Sequence, residues 1–131
     1  MDLYRDLILD HYKHPRNFGH LEKPDVVVEE GNVTCGDRIV IELLITHHPP
    51  RLPAGRSRIT IRDIRFSGEG CAISQASASM LTEKVKGMSA AQVQKFSRKD
   101  IEDMLGTTLT PSRVKCATLP LEILQKAFAS I

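Results

Sequence analysis

Two alternating apolar runs in the first half of the chain restrict the fold more than any other feature. In DRIVIELLIT (37–46), Ile39, Ile41, Leu43 and Ile45 fall on one face at a period of two, which specifies a strand half-buried against a core. RITIRDIRFSG (58–68) is the second long strand. Its apolar phase slips between Ile61 and Ile64, so a bulge is expected at Arg62–Asp63. The short, β-branched DVVVEE (25–30) supplies a third strand.

The rest of the chain reads as helix and turn. Residues 2–14 form a helix that Asp2 can cap, with Tyr4, Ile8 and Tyr12 recurring every four residues beside Leu3 and Leu7; Pro15 stops it. HHPPRLPAG (47–55), with three prolines and a glycine, is a loop. After GEG the texture changes. CAISQASASMLTEKVKG is rich in Ala and Ser and ends on Lys86-Gly87, as a close-packed helix with its C-cap would. SAAQVQKF and SRKDIEDMLG each open on a serine cap, and the second ends on Gly106. PLEILQKAFASI (120–131) is helical, with Pro120 in its first turn and Leu121, Leu124, Ala127 and Phe128 on one face. Strands followed by helices indicate an α+β domain, in which a small antiparallel sheet of about three strands is covered by helices. With 131 residues, the whole of 1–131 is expected to be one domain.

Composition narrows the function classes. The net charge of +2 is too mild to argue by itself for nucleic acid. The crowding of Arg51, Arg56, Arg58, Arg62 and Arg65 reads as a solvated face. No run approaches the ~18 apolar residues of a membrane span. The first fifteen residues carry three acidic side chains, unlike a signal or transit peptide. Three cysteines make an odd number and no disulfide framework, so free or metal-bound thiols in a reducing cytoplasm are expected.

The cysteines all sit at element boundaries, where chain ends can converge on one place. Cys35 precedes a strand within NVTCGDRIV, with Asp37 two residues on. Cys71 follows SGEG and opens a helix, where the positive end of the dipole favours thiolate; Gly68 and Gly70 let the backbone bend there and admit a bulky ligand. Cys116 lies between Pro111 and Pro120, near a helix end, with Lys115 beside it as Arg38 lies near Cys35. Two readings stand on residue chemistry alone. Scattered cysteines are small buried hydrophobes, and no CxxC pair marks a zinc site. Against that, a carboxylate beside Cys35 gives a buried hydrophobe nothing, whereas it completes a set of three sulfurs around a metal.

DLYRDLILDHYKHPRNFG, TCGDR, FSGEGCAISQASASMLTEKVKG and RVKCATL together resemble the U-type iron–sulfur cluster assembly proteins, the IscU/SufU/NifU N-terminal family, in order and over nearly the whole chain. The resemblance implies one site made by Cys35, Asp37, Cys71 and Cys116, holding either a transient [2Fe-2S] cluster or Zn2+. It implies a scaffold that takes sulfur from a cysteine desulfurase, with Cys35 as the candidate persulfide acceptor, and passes the cluster to apo-proteins. A carboxylate among thiolates is a harder, less well matched ligand for the cluster, which suits a holder that must let go. The alternative is a zinc-dependent sulfurtransferase that accepts persulfide and hands sulfur on; a more distant one is a structural zinc module binding RNA.

The chain departs from the family at several points. Lys115 stands where IscU proteins have histidine, as in SufU proteins, but the 44 residues between Cys71 and Cys116 leave no room for the SufU insertion. LTPSR (109–113) keeps only the leucine and one proline of the IscU chaperone-recognition stretch, which argues against a dedicated Hsp70-type chaperone. His11, His14, His20, His47 and His48 occupy no family ligand position and are read as surface or helix-packing residues.

Overall fold

The computed structural model describes residues 3–32, 36–48, 58–106 and 111–129. They form α1 (Leu3–Lys13), β1 (Val26–Asn32), β2 (Asp37–His48), β3 (Arg58–Glu69), α2 (Ala72–Val85), α3 (Ala90–Gln94), α4 (Arg98–Leu105) and α5 (Pro111–Ala129). The three strands make one antiparallel sheet in the order β1-β2-β3, so the expected α+β layering is present.

The expected bulge is there too. Leu44 pairs with Asp63 and Ile45 with Ile61, which leaves Arg62 as the extra residue of β3. This lets both Ile61 and Ile64 enter the core, where they lie with Ile39, Ile41, Leu43 and Phe66. The hairpin ladder runs further than the prolines suggested: His47 pairs with Ile59 and His48 with Arg58, so these histidines belong to β2 rather than to the loop. The loop tip, 49–57, lies outside the described residues.

One face of the sheet is covered by α2 and α5, which pack on each other, and α2 also packs on α1. A helix enclosed on several sides needs small side chains, and Ala76, Ser77, Ala78 and Ser79 are all fully buried. The buried hydroxyls find partners. Ser74 donates to the Cys71 carbonyl, Ser77 to the Ala117 carbonyl, and the Ser79 Oγ accepts the Arg16 N–H.

Two sequence expectations are corrected by the helices. In α1, Tyr12 and Leu7 are exposed, while Ile8 and His11 face inward. The His11 Nδ1 lies 2.7 Å from the Ser79 Oγ, so the polar serine face of α2 selects the imidazole rather than the tyrosine ring. Burial holds the His11 pKa below its ordinary value. The last helix begins at Pro111, not at Pro120, which lies in its interior. Pro111 is preorganised for a first helical turn, whereas Pro120 lacks the N–H that the Cys116 carbonyl would otherwise accept. Both short helices are capped as their serines indicated: Ser89 forms a capping box with Gln92, and the Ser97 N–H donates to Asp100 Oδ2 at 2.7 Å. Gly106 ends α4 in the left-handed conformation.

Candidate metal centre

Three of the four expected ligands come together. One carboxylate oxygen of Asp37, the Cys71 Sγ and the Cys116 Sγ all lie within 4.8 Å of one another. Cys35 lies outside the described residues, and Gly36, left-handed at φ +69°, links it to Asp37. Donors around one tetrahedral zinc stand roughly 3–4 Å apart, given metal–ligand bonds of ~2.0–2.3 Å, so a small inward adjustment closes the set on an ion.

Each donor is delivered by a different element. Asp37 is the first residue of β2 and its side chain points away from that of Arg38, as neighbours on a strand must. Arg38, expected to favour thiolate nearby, instead pairs through Nε with Glu29 across the β1–β2 ladder. Cys71 is the N-cap of α2, in extended conformation, separated from the end of β3 by Gly70 alone. Cys116 occupies the second turn of α5 and is buried, and Lys115 beside it is exposed.

Asp37 and Cys71 are coupled directly. The Asp37 Oδ1 accepts the Cys71 backbone N–H at 2.9 Å, so the carboxylate satisfies a donor at the opening of α2. The carboxylate is buried, and its Oδ2 has no hydrogen-bond partner. A buried carboxylate oxygen with nothing to accept is costly, and a cation beside it removes the cost. A buried carboxylate with an orphaned oxygen, and two sulfurs close to that carboxylate, is the chemical fit for a metal: thiolates and one carboxylate oxygen suit zinc or iron.

The glycines also allow the close approach on which this coupling depends. A Cβ at Gly70 would stand 2.2 Å from the Ser74 Oγ and 2.9 Å from the Asp37 Oδ1, so any side chain there pushes Asp37 and Cys71 apart. At Gly68, with φ +120°, a Cβ would stand 2.0 Å from the Arg38 carbonyl oxygen, so glycine is needed for β2 and β3 to meet at this end of the sheet. The Gln75 side chain adds a bond from its Nε2 to the Gly68 carbonyl at 3.3 Å, tying the turn to the first turn of α2.

Of the histidines, none of those whose side chains are described belongs to this group. His11 packs on α2, and the His20 Nδ1 lies 2.5 Å from the Oε2 of the buried Glu42 on β2. That second pairing had no sequence signal, because it joins a turn residue to a strand residue 22 positions away.

Comparisons with known proteins agree with the geometry. The chain matches the NifU-like N-terminal domain family over residues 3–130. It is 38% identical to the zinc-dependent sulfurtransferase SufU of Bacillus subtilis over 144 residues, covering 97% of this chain and 90% of that protein. It is 36% identical to the iron–sulfur cluster assembly scaffold protein IscU of Aquifex aeolicus, covering 95% of this chain and 73% of that one. Among solved structures, a putative iron–sulfur cluster assembly scaffold protein for the SUF system from Fervidobacterium islandicum superposes with a TM-score of 0.69 at 30% identity, covering 93% of each chain. None of the described helices is long and apolar enough to cross a membrane.

Proposed function

The chain belongs to the family of NifU-like N-terminal domains, and from that premise we propose that it is an iron–sulfur cluster assembly scaffold. Its cargo is a [2Fe-2S] cluster, held by Cys35, Asp37, Cys71 and Cys116 and passed to apo-proteins in the cytoplasm. The observation that carries this reading is the approach of one Asp37 carboxylate oxygen to the Cys71 and Cys116 sulfurs, all within 4.8 Å, by a buried carboxylate whose Oδ2 has no partner.

The chemistry divides among the chain's own residues. A cysteine desulfurase presents a persulfide. The Cys35 thiolate attacks its outer sulfur, the donor's S–S bond breaks, and the donor cysteine leaves as thiolate while Cys35 gains the sulfur. Cys35 suits the role because glycine follows it in a turn, whereas Cys71 is fixed by its helix. Each transferred sulfur then needs two electrons, from a thiol-class or ferredoxin-class reductant, to become the sulfide that joins ferrous iron. Cys71 and Cys116 supply soft thiolates from α2 and α5. Asp37 supplies the hard oxygen that releases first.

A second reading, a zinc-dependent sulfurtransferase, is favoured by the 38% identity to the Bacillus subtilis SufU and by Lys115 before Cys116. Zinc held by the same residues would keep the thiolates deprotonated. The two readings part after sulfur delivery. In anaerobic incubation with a desulfurase, cysteine, a thiol reductant and ferrous iron, the scaffold develops the visible absorption of a bound cluster, and Cys35→Ser abolishes it. A chain that keeps zinc, accelerates desulfurase turnover and stays colourless is the sulfurtransferase.

A further inference from the structure

The third cysteine arrives on an unusual helix. Pro120 lies in the interior of α5, four residues after Cys116, and carries no N–H for the Cys116 carbonyl. Its ring also crowds that carbonyl, so an interior proline weakens a helix at this turn. Thr118 adds to the perturbation, because its Oγ1 donates back to the Val114 carbonyl at 2.8 Å, a pattern that bends helices. Pro120 therefore removes one backbone donor from the α5 ladder at the turn that follows Cys116.

A side chain from another helix holds that turn. The Ser77 Oγ of α2 donates to the Ala117 carbonyl at 2.6 Å, and both residues are fully buried. Ala76, Ala78 and Ala117, also fully buried, let the two helices approach closely enough for this bond. Ser77 stands six residues after Cys71 on one rigid helix, roughly 9 Å along its axis. Ala117 follows Cys116 directly. The bond thus ties the helix whose opening carries one sulfur to the peptide next to the other sulfur.

We propose that Ser77 is a positioning residue for the metal centre: its hydroxyl, holding the Ala117 carbonyl at the proline-weakened turn, fixes where the Cys116 thiol stands relative to Cys71 and Asp37. This rests on the reading that those side chains hold one metal. A serine used only for packing would lend stability to the core and nothing to the metal. Ser79 provides that contrast. It is equally buried on the same helix, but its hydroxyl meets His11 and the Arg16 N–H, away from α5.

The test uses the full chain, with zinc affinity from competition against a chromogenic chelator and the thiolate-to-metal charge-transfer absorption at saturating cobalt(II). Ser77→Ala should weaken zinc about tenfold, the low end of what outer-sphere positioning groups contribute, and should reduce the charge-transfer intensity. Ser79→Ala should lower the melting temperature of the metal-free protein while leaving affinity and spectrum at wild-type values. In a Pro120→Ala background, where residue 120 regains its N–H and the ladder can close, Ser77→Ala should cost less than in the wild type, a non-additivity that marks the shared turn. Wild-type affinity and spectrum in Ser77→Ala would overturn the proposal. So would an equal loss in Ser79→Ala, or full additivity with Pro120→Ala. A Cys71→Ser control separates the two levels. If Cys71→Ser binds zinc as tightly as the wild type, the metal-centre reading fails and the proposal falls with it. If Cys71→Ser is weak and Ser77→Ala is not, the positioning role alone is wrong.

Discussion

Asp37 and Cys71, 34 residues apart, are joined by a 2.9 Å hydrogen bond from the Cys71 backbone N–H to one carboxylate oxygen, while the other oxygen is buried and unpartnered. One side chain therefore fixes the start of α2 with one atom and keeps the other free of hydrogen bonds. A ligand anchored in this way is rigid in position yet weakly matched to iron, and the consequences can be measured.

Cluster release should depend on the carboxylate. Asp37→Ala should slow transfer of a reconstituted cluster to an apo-ferredoxin, by roughly tenfold if the effect matches other changes near metal sites. Asp37→Cys should slow it further by completing a four-thiolate set. Stopped transfer assays read both rates, and unchanged or faster transfer in both variants would end the lability account.

Metal should stabilise the fold through the same atom. Zinc at a hundredfold excess over its Kd adds ~2.7 kcal/mol to the unfolding free energy of a chain that binds it only when folded. Urea unfolding with zinc and with chelator should show a gap of that order in the wild type. In Asp37→Ala the gap should shrink by 1 kcal/mol or more, on the order of one lost charged ligand. An equal gap in both proteins would remove Asp37 from the site.

Gly70 should tolerate no side chain. The Cβ of Gly70→Ala would meet the Ser74 Oγ and the Asp37 Oδ1, so the variant should lose roughly 1–3 kcal/mol of stability and bind zinc more weakly. Gly36→Ala is the comparison: its Cβ meets nothing within 4 Å, so its cost comes from a left-handed backbone alone. Calorimetry with a zinc titration separates overpacking from backbone strain, and a wild-type zinc affinity in Gly70→Ala would contradict the close approach.

His11 should make the metal-free protein less stable in mild acid. Burial lowers its pKa below 6.5, so the unfolded chain binds the proton more readily than the folded one. Its contribution is fully present above about pH 6.5 and is lost as the pH falls through the folded value, with a slope of up to ~1.36 kcal/mol per unit. His11→Asn should flatten that part of the stability profile measured by urea unfolding between pH 7 and 5. Parallel profiles for the two proteins would show that the imidazole is not held neutral.

The strands were legible because their information is local. A period of two, interrupted between Ile61 and Ile64, located even the bulge at Arg62. Serine caps and Gly106 marked α3 and α4 equally well. The start of α5 was misread because proline is a local signal for a break, while the packing around this part of α5 is tertiary: the Ser77 bond to Ala117 comes from 40 residues away. The four-residue spacing of Ile8 and Tyr12 did not show that His11 would be buried and Tyr12 exposed, because the buried partner of His11 lies 68 residues along the chain. The site divides the same way. Cys-Gly-Asp and the helix-opening Cys71 advertised ligands, but spacing could not bring Cys116 to them. Nor could it reveal that Asp37 reaches the Cys71 amide.

The central claim, that residue 37 is a ligand in a shell of three cysteine sulfurs, is tested most directly by X-ray absorption at the zinc edge of the zinc-loaded protein. The wild type should show three sulfurs at ~2.3 Å and one oxygen at ~2.0–2.2 Å, and Asp37→Cys should convert this to four sulfurs. A sulfur count that stays the same in Asp37→Cys, or a wild-type shell with fewer than three sulfurs, would contradict the account.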